Sequence, residues 1–180
     1  TPAYLFDTGG DDPLAIKKFK VTEGAPPSYN NWCDVDRLLQ TMTHLAAAWK
    51  LNFRYVPAIA IGAKHGNPCG CAVGHPDTLP SFILERAVAG DTRAIFGGVI
   101  MTNCRIDGFT AQAMAAAMPN GKALFDGVIA PGFDDAAIQV LSRKKEKCRL
   151  IVNPALGDDA MLLDQAPRFR YVRGGFLAQP

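Results

Sequence analysis

The chain has 180 residues, 48% of them hydrophobic, and a formal net charge of +2, so it can core one domain and carries no charge excess pointing to a nucleic-acid partner. No apolar run approaches the ~18 residues of a membrane span, and no signal peptide is visible. Five cysteines, an odd number without the even spacing of a small secreted framework, fit a reducing, cytoplasmic setting.

The first residue is Thr1 rather than Met, which points to a processed chain or a fragment. After Tyr4-Leu5-Phe6 and a turn through Gly9 to Pro13, Ile16, Phe19 and Val21 alternate with polar residues, as in a short or edge strand. Ser28 to Cys33 is expected to be a polar loop, with Asp34 as the N-cap of the clearest helix. That helix carries Val35, Leu38, Leu39, Met42, Leu45, Ala46 and Trp49 at a 3.6-residue period through Lys50. His44 falls off the stripe and should face solvent.

Ala58 to Ala63 has the composition of a strand buried on both faces. It breaks into Lys64-His65-Gly66-Asn67-Pro68-Cys69-Gly70, whose turn residues predict a tight loop at the strand's carboxyl end. In open α/β sheets ligands bind at such ends. A helix near Ser81 to Ala89 follows, with Phe82, Ile83, Ala87 and Val88 inward.

Ala94 to Met101 reads as a second buried strand, interrupted by Gly97-Gly98, where a backbone approaches something closely. A small-residue helix over Ala111 to Met118 starts near Thr110 or Asp107. Leu124 to Ala130 is a strand carrying Asp126 and ending at Pro131-Gly132. Asp134 and Asp135 open a helix from Ala136 to Lys145, whose basic end, Arg143 to Lys147, should be a solvated face. Arg149 to Val152 is a strand, Asn153 to Asp159 a turn-rich linker, and Tyr171 to Leu177 a closing strand. The alternation predicts a layered α/β domain over 1–180, with a mainly parallel sheet flanked by helices. Residues 154–180, with Phe169, Tyr171 and Phe176, are expected to form an arm reaching a partner.

The Lys64-His65 pair has acid–base potential. A histidine takes a proton near neutral pH, and a neighbouring ammonium stabilises an oxyanion or protonates a leaving nitrogen. Residue chemistry alone leaves a solvated loop open as the other reading. Cys69 and Cys71, with His65 and Cys104, raise the question of metal. Two ligands one residue apart rarely close a tetrahedral site, and no His-x-Glu accompanies them, so no metal is expected. Cys69 as a nucleophile lacks a paired Asp or Asn, which favours a structural thiol. No Gly-x-Gly-x-x-Gly or P-loop occurs.

Lys64-His65-Gly66-Asn67-Pro68-Cys69-Gly70 resembles the Lys-His-x-Asn-Pro-Cys-Gly signature of bacterial AICAR transformylases, the formyltransferase part of a bifunctional purine-biosynthesis enzyme. Four further segments agree in order: Ser28-Tyr29-Asn30-Asn31 with Asp34, Phe96-Gly97-Gly98, Asp126 to Phe133, and Gly174 to Gln179. They correspond to the first half of the transformylase.

The resemblance implies a cytidine-deaminase-like half of the transformylase fold, assembled as a homo-oligomer or with a complementary half-chain. It implies formyl transfer from 10-formyltetrahydrofolate, the co-substrate, to the amine of an aminoimidazole carboxamide ribonucleotide. His65 would be the general base and Lys64 the charge-stabilising or proton-donating group. Asn31, Asn67, Phe96, Gly97, Gly98, Asp126 and Pro131 would hold the nucleotide, with loops 28–34, 64–71 and 96–98 and Asp126 lining one pocket. Neither nucleic acid nor membrane is an expected partner. Two other readings stand beside this one. They are a non-catalytic nucleotide-binding or assembly subunit, and a divergent small enzyme using Lys64 and His65 on another amine or amide.

Overall fold

The computed structural model describes residues 4–7, 9–122, 124–142, 147–158, 163–164 and 166–179. Its main-sheet elements are β1 (Lys20–Glu23), α1 (Tyr29–Phe53), β2 (Ala58–Lys64), β3 (Asn67–Gly74), α2 (Pro80–Ala89), β4 (Val99–Thr102), α3 (Gly108–Ala117), β5 (Gly127–Ala130), α4 (Asp135–Leu141) and β6 (Arg149–Val152). A separate hairpin pairs β7 (Arg168–Val172) with β8 (Gly175–Gln179).

The main sheet has the order β1-β6-β5-β4-β2-β3. β4, β5 and β6 are parallel neighbours, while β2 is antiparallel to β4 and β3 to β2. Four of the six strands, β3 to β6, therefore run the same way, and β1 and β2 run against them.

Both faces are covered, which is why these strands read as continuous apolar runs. Side chains alternate across the sheet. Ala58, Ala60, Ile100, Val128 and Leu150 pack under α2, α3 and α4. Ile59, Ile61, Met101, Ile129 and Ile151 pack under α1, through Val35, Leu38, Met42 and Ala46. The result is a three-layer α/β domain with three helices on one face and one long helix on the other.

Several elements differ from the sequence reading. The N-cap of α1 is Ser28, not Asp34: the Ser28 hydroxyl accepts from the Asn31 amide at 3.2 Å, and the Asn31 carboxamide accepts from the Ser28 amide at 2.9 Å. This reciprocal box satisfies two orphan donors and starts the helix at Tyr29. The expected polar loop is thus its first turn, and Asp34 lies inside the helix, buried. At the other end α1 runs past Lys50 to Phe53 and closes on Arg54 in the left-handed conformation.

Lys64 to Gly70 is not a loop. β2 extends to Lys64, two residues turn, and Asn67 to Gly74 returns as an edge strand with an irregular register at Gly62/Ala63. Ala94 to Gly98 is a turn rather than strand, so β4 begins only at Val99. Phe82 faces outward with Arg86 over its ring at 5.2 Å, because a helix starting at Pro80 turns Ile83, Leu84, Ala87 and Val88 inward. Asp107, rather than Thr110, caps α3. The helix opened by Asp134 stops at Leu141, and Arg143 to Glu146 lie outside the described residues. The expected single closing strand is a hairpin, β7 turning into β8 at Arg173-Gly174. The segment after β6 begins as a packed turn, in which Leu156 is buried and the Asn153 side chain donates to the Pro13 carbonyl at 2.9 Å.

Candidate active site

β2 carries Lys64 to the rim of the sheet, where its ammonium donates to the Phe96 carbonyl at 2.7 Å. His65 and Gly66 follow with φ of 53° and 78°. Two consecutive left-handed residues make the hairpin turn whose twist suits antiparallel strands. Glycine adopts that conformation freely, whereas a histidine pays about 1–2 kcal/mol for it. The turn is tied from two sides. The Gly66 amide donates to the Asp34 carboxylate of α1 at 2.6 Å, and the Asn67 carboxamide donates to the His65 carbonyl at 3.2 Å. His65 itself is exposed at the apex.

Phe96-Gly97-Gly98 forms the neighbouring wall. The Gly97 amide donates to the Leu124 carbonyl at 2.8 Å, and the Asp126 amide donates to the Gly98 carbonyl at 2.9 Å. A Cβ on Gly97 would stand 3.9 Å from an Asp126 carboxylate oxygen, and one on Gly98 only 2.8 Å from the Ala63 carbonyl. Gly98 therefore lets this turn press against Ala63, while Gly97, at φ 67°, supplies its left-handed conformation. Lys64 and Asp126 thus both bond to one short backbone segment, Lys64 at the Phe96 carbonyl and Asp126 at the Gly98 carbonyl. Arg149, read from the sequence only as the start of a strand, donates through its amide (3.1 Å) and guanidinium (3.3 Å) to the Asp126 carbonyl and fixes the residue before β5.

This cluster lies at the carboxyl end of β2, as the turn residues indicated. Because β2 is antiparallel to β4, that is the amino end of the parallel strands β4 and β5. The rule that places ligands at the carboxyl ends of parallel strands does not locate it. Pro131 follows the far end of β5, five residues beyond Asp126, about 16 Å along the strand at the usual rise per residue. The structure does not bring it to the Lys64 cluster. Asn31 stands three residues before Asp34 on α1, with its carboxamide oxygen engaged by Ser28.

The thiols have no activated surroundings. Burial pushes Cys69 up, with nearby Lys64 opposing and Asp91 and Asp34 adding to the rise. Burial likewise pushes Cys71 and Cys104 up. A raised thiol is a poor nucleophile at neutral pH. Among the described residues, no three His, Cys, Asp or Glu side chains come together as a metal site. No described helix is long and apolar enough to cross a membrane.

Beside the His65 turn opens a cavity of about 850 Å³, between the amino-terminal segment and the first turns of α1. Tyr4, Phe19, Tyr29, Trp32 and Arg37 line it, and Gly66 links it to the turn. Sequence reasoning missed both this cavity and the role of Asp34. The Ser28–Asn31 pairing was the available signal: starting the helix at Tyr29 puts Asp34 beside Val35 and Leu38 on the inward stripe.

The structure is a three-layer α/β domain in which Lys64 and the His65 turn stand at the sheet rim, beside the Phe96-Gly97-Gly98 turn that also bonds the Asp126 amide. The family model described as AICARFT/IMPCHase bienzyme matches residues 2–180, and the chain belongs to that family. Among curated relatives, the bifunctional purine biosynthesis protein PurH of Caulobacter vibrioides is 36% identical over 157 residues, covering 87% of this chain and 26% of that protein. The protein of the same name from Persephonella marina is 29% identical over 166 residues, covering 92% of this chain and 28% of that protein. That from Trichodesmium erythraeum is 32% identical over 160 residues, covering 89% and 26% respectively. The chain spans about a quarter of the length of these relatives.

Proposed function

We propose that this chain supplies the Lys64-His65 half of a formyl-transfer site, acting on the amine of an aminoimidazole carboxamide ribonucleotide with 10-formyltetrahydrofolate as the formyl donor. The observation that supports this reading is the shared turn: Lys64 bonds the Phe96 carbonyl and the Asp126 amide bonds the Gly98 carbonyl, with His65 next to Lys64 in the chain. Backbone groups of such a turn suit the flat face and edge of a heterocycle, and the Asp126 carboxylate suits its amide N–H groups. Asn31, Asn67 and Pro131 remain proposed nucleotide contacts. Pro131, at the far end of β5, would serve a second site built with another chain.

In the proposed reaction the amine nitrogen attacks the formyl carbon. A new C–N bond forms, the bond to the folate nitrogen breaks, the amine proton passes to His65, and the folate nitrogen takes up a proton. Lys64 spends one of its three N–H donors on Phe96, which aims the ammonium and leaves the others for the carbonyl oxygen or the departing nitrogen.

The test is formyl transfer by this chain, alone and mixed with the complementary half, with tetrahydrofolate release as the readout. His65→Ala should lower turnover by about 10²–10⁴-fold with little change in nucleotide affinity. Lys64→Arg should also lose activity, because the planar guanidinium does not replace a compact ammonium. Nucleotide binding without turnover in any combination would assign the chain to the binding reading. Full activity of His65→Ala would sink the catalytic one. The β7–β8 hairpin, with Phe169, Tyr171, Phe176 and Leu177 exposed, supports association of this unit with a second copy or a complementary half.

A further inference from the structure

We propose that Asp34 is a positioning residue for the Lys64-His65 pair: through the Gly66 amide it holds the histidine in its left-handed conformation. The proposal rests on the formyl-transfer reading above for its catalytic consequence, but not for its structural part. Asp34 is 6% exposed, and a carboxylate taken that far from water is unfavourable unless hydrogen-bonded. Its Oδ1 accepts from Gly66 at 2.6 Å, across 32 residues of chain, so it joins the long helix on one face of the sheet to the hairpin at its rim.

The supports on either side of this bond are rigid. α1 is fixed at its start by the Ser28–Asn31 box, one turn before Asp34, and along its length by buried Val35, Leu38 and Met42. β2 is locked on both sides by β3 and β4. Between them lie the two turn residues, which no ladder pairing holds. One of them, His65 at φ 53°, sits where a non-glycine residue is unfavourable without an external tie. The intra-turn bond from Asn67 reaches the His65 carbonyl, and among the described residues Asp34 is the one that hydrogen-bonds the turn from a helix. The Asp34 charge also acts near the site, since it and Lys64 influence the Cys69 thiol in opposite senses. An acceptor on a packed helix thus holds the backbone from which the imidazole projects, as a supporting shell does for a precise site.

The decisive measurement is amide exchange and scalar coupling on the full, isotopically labelled chain. In the parent, the Gly66 amide should be protected, and the His65 three-bond HN–Hα coupling should report a left-handed φ. Asp34→Ala should speed Gly66 exchange by about ten- to a hundredfold, with the amides of β2 unchanged, and should move the His65 coupling. Asp34→Asn keeps an oxygen acceptor and should retain most of the protection, with the Gly66 amide proton shifted upfield as the charge is lost. Should Asp34→Ala fail to fold, the parent and Asp34→Asn still decide the matter. An unprotected Gly66 in the parent, or an unshifted Gly66 proton in Asp34→Asn, overturns the proposal.

Where the chain turns over, Asp34→Ala should lower kcat about ten- to a hundredfold at nearly constant KM, with Asp34→Asn losing less than tenfold. A rise in KM at constant kcat overturns the catalytic consequence. If His65→Ala spares turnover, the formyl-transfer reading fails, and the Gly66 exchange still judges the tie to Asp34.

Discussion

Replacing Gly98 by alanine tests whether the wall between Lys64 and Asp126 depends on close backbone approach. The new methyl would stand 2.8 Å from the Ala63 carbonyl oxygen and 3.0 Å from that of Ile95. Gly98 does not adopt the left-handed conformation, so the obstacle is space and not backbone preference. Neither oxygen moves easily. Ala63 is paired with Val99 in the sheet, and the Ile95 carbonyl accepts the Gly98 amide at 2.8 Å. Relief therefore requires the turn to shift by a few tenths of an ångström, which strains that bond and the one from Asp126 to the Gly98 carbonyl.

Overpacking of this kind costs about 1–3 kcal/mol. The smaller unfolded-state entropy of alanine returns about 0.4–1 kcal/mol. The net loss is about 1–2 kcal/mol, and at about 2–4 °C per kcal/mol for a chain of this size the melting temperature should fall by about 2–8 °C. Gly175→Ala is the control, because nothing lies within 4 Å of its Cβ position and its φ is not left-handed. It should stay within about 0.5 kcal/mol of the parent. Thermal unfolding followed by circular dichroism compares the three proteins. The same shift should pull the Phe96 carbonyl away from Lys64 and weaken nucleotide binding. A Gly98→Ala protein that melts with the control and binds like the parent would refute the close-approach reasoning.

Acid should act through Asp107, the cap of α3, whose carboxyl is held below its ordinary value of 3.8 by hydrogen bonds from the Thr110 hydroxyl and amide. A depressed carboxylate contributes stability that is present above that ordinary value and is lost as pH falls through the folded one. Asp107→Ala should therefore cost about 1 kcal/mol near neutral pH and flatten the acid limb of a stability–pH curve. An unchanged limb would count against it. Among the cysteines, exposed Cys33 should be alkylated first at neutral pH. Cys69 and Cys104, less exposed and pushed up by burial, should lag, as read by timed peptide mass mapping. Cys69→Ser should keep activity, and its loss would revive a covalent role. For the hairpin arm, light scattering should show association that weakens in a Phe169→Ser, Phe176→Ser double variant. A parent that remains a monomer at high concentration would contradict the arm reading.

Much of the domain was legible because local patterns and burial agree in it. Ala58 to Ala63, Arg149 to Val152 and the Val35–Ala46 stripe are apolar at the periods their elements need, and the two-faced burial of the sheet only reinforces that. The break after Lys64 was legible too, because His65-Gly66 reads as a turn, but the loop expected over Asn67 to Gly70 was not found, since the chain returns there as β3. What the sequence alone settled was therefore the layered α/β class and the residues that break its regularity. Tertiary structure decided how those breaks meet. The direction of β2 turned a carboxyl-end turn into one at the amino ends of β4 and β5, and strand direction is set by pairing between strands, which local pattern does not name. The start of α1 moved Asp34 from an exposed cap to a buried acceptor, because a reciprocal Ser28–Asn31 box outcompeted a lone carboxylate. Pro131 and Asp126 sit close in sequence and at opposite ends of β5, since an extended strand separates by its rise what the chain lists together.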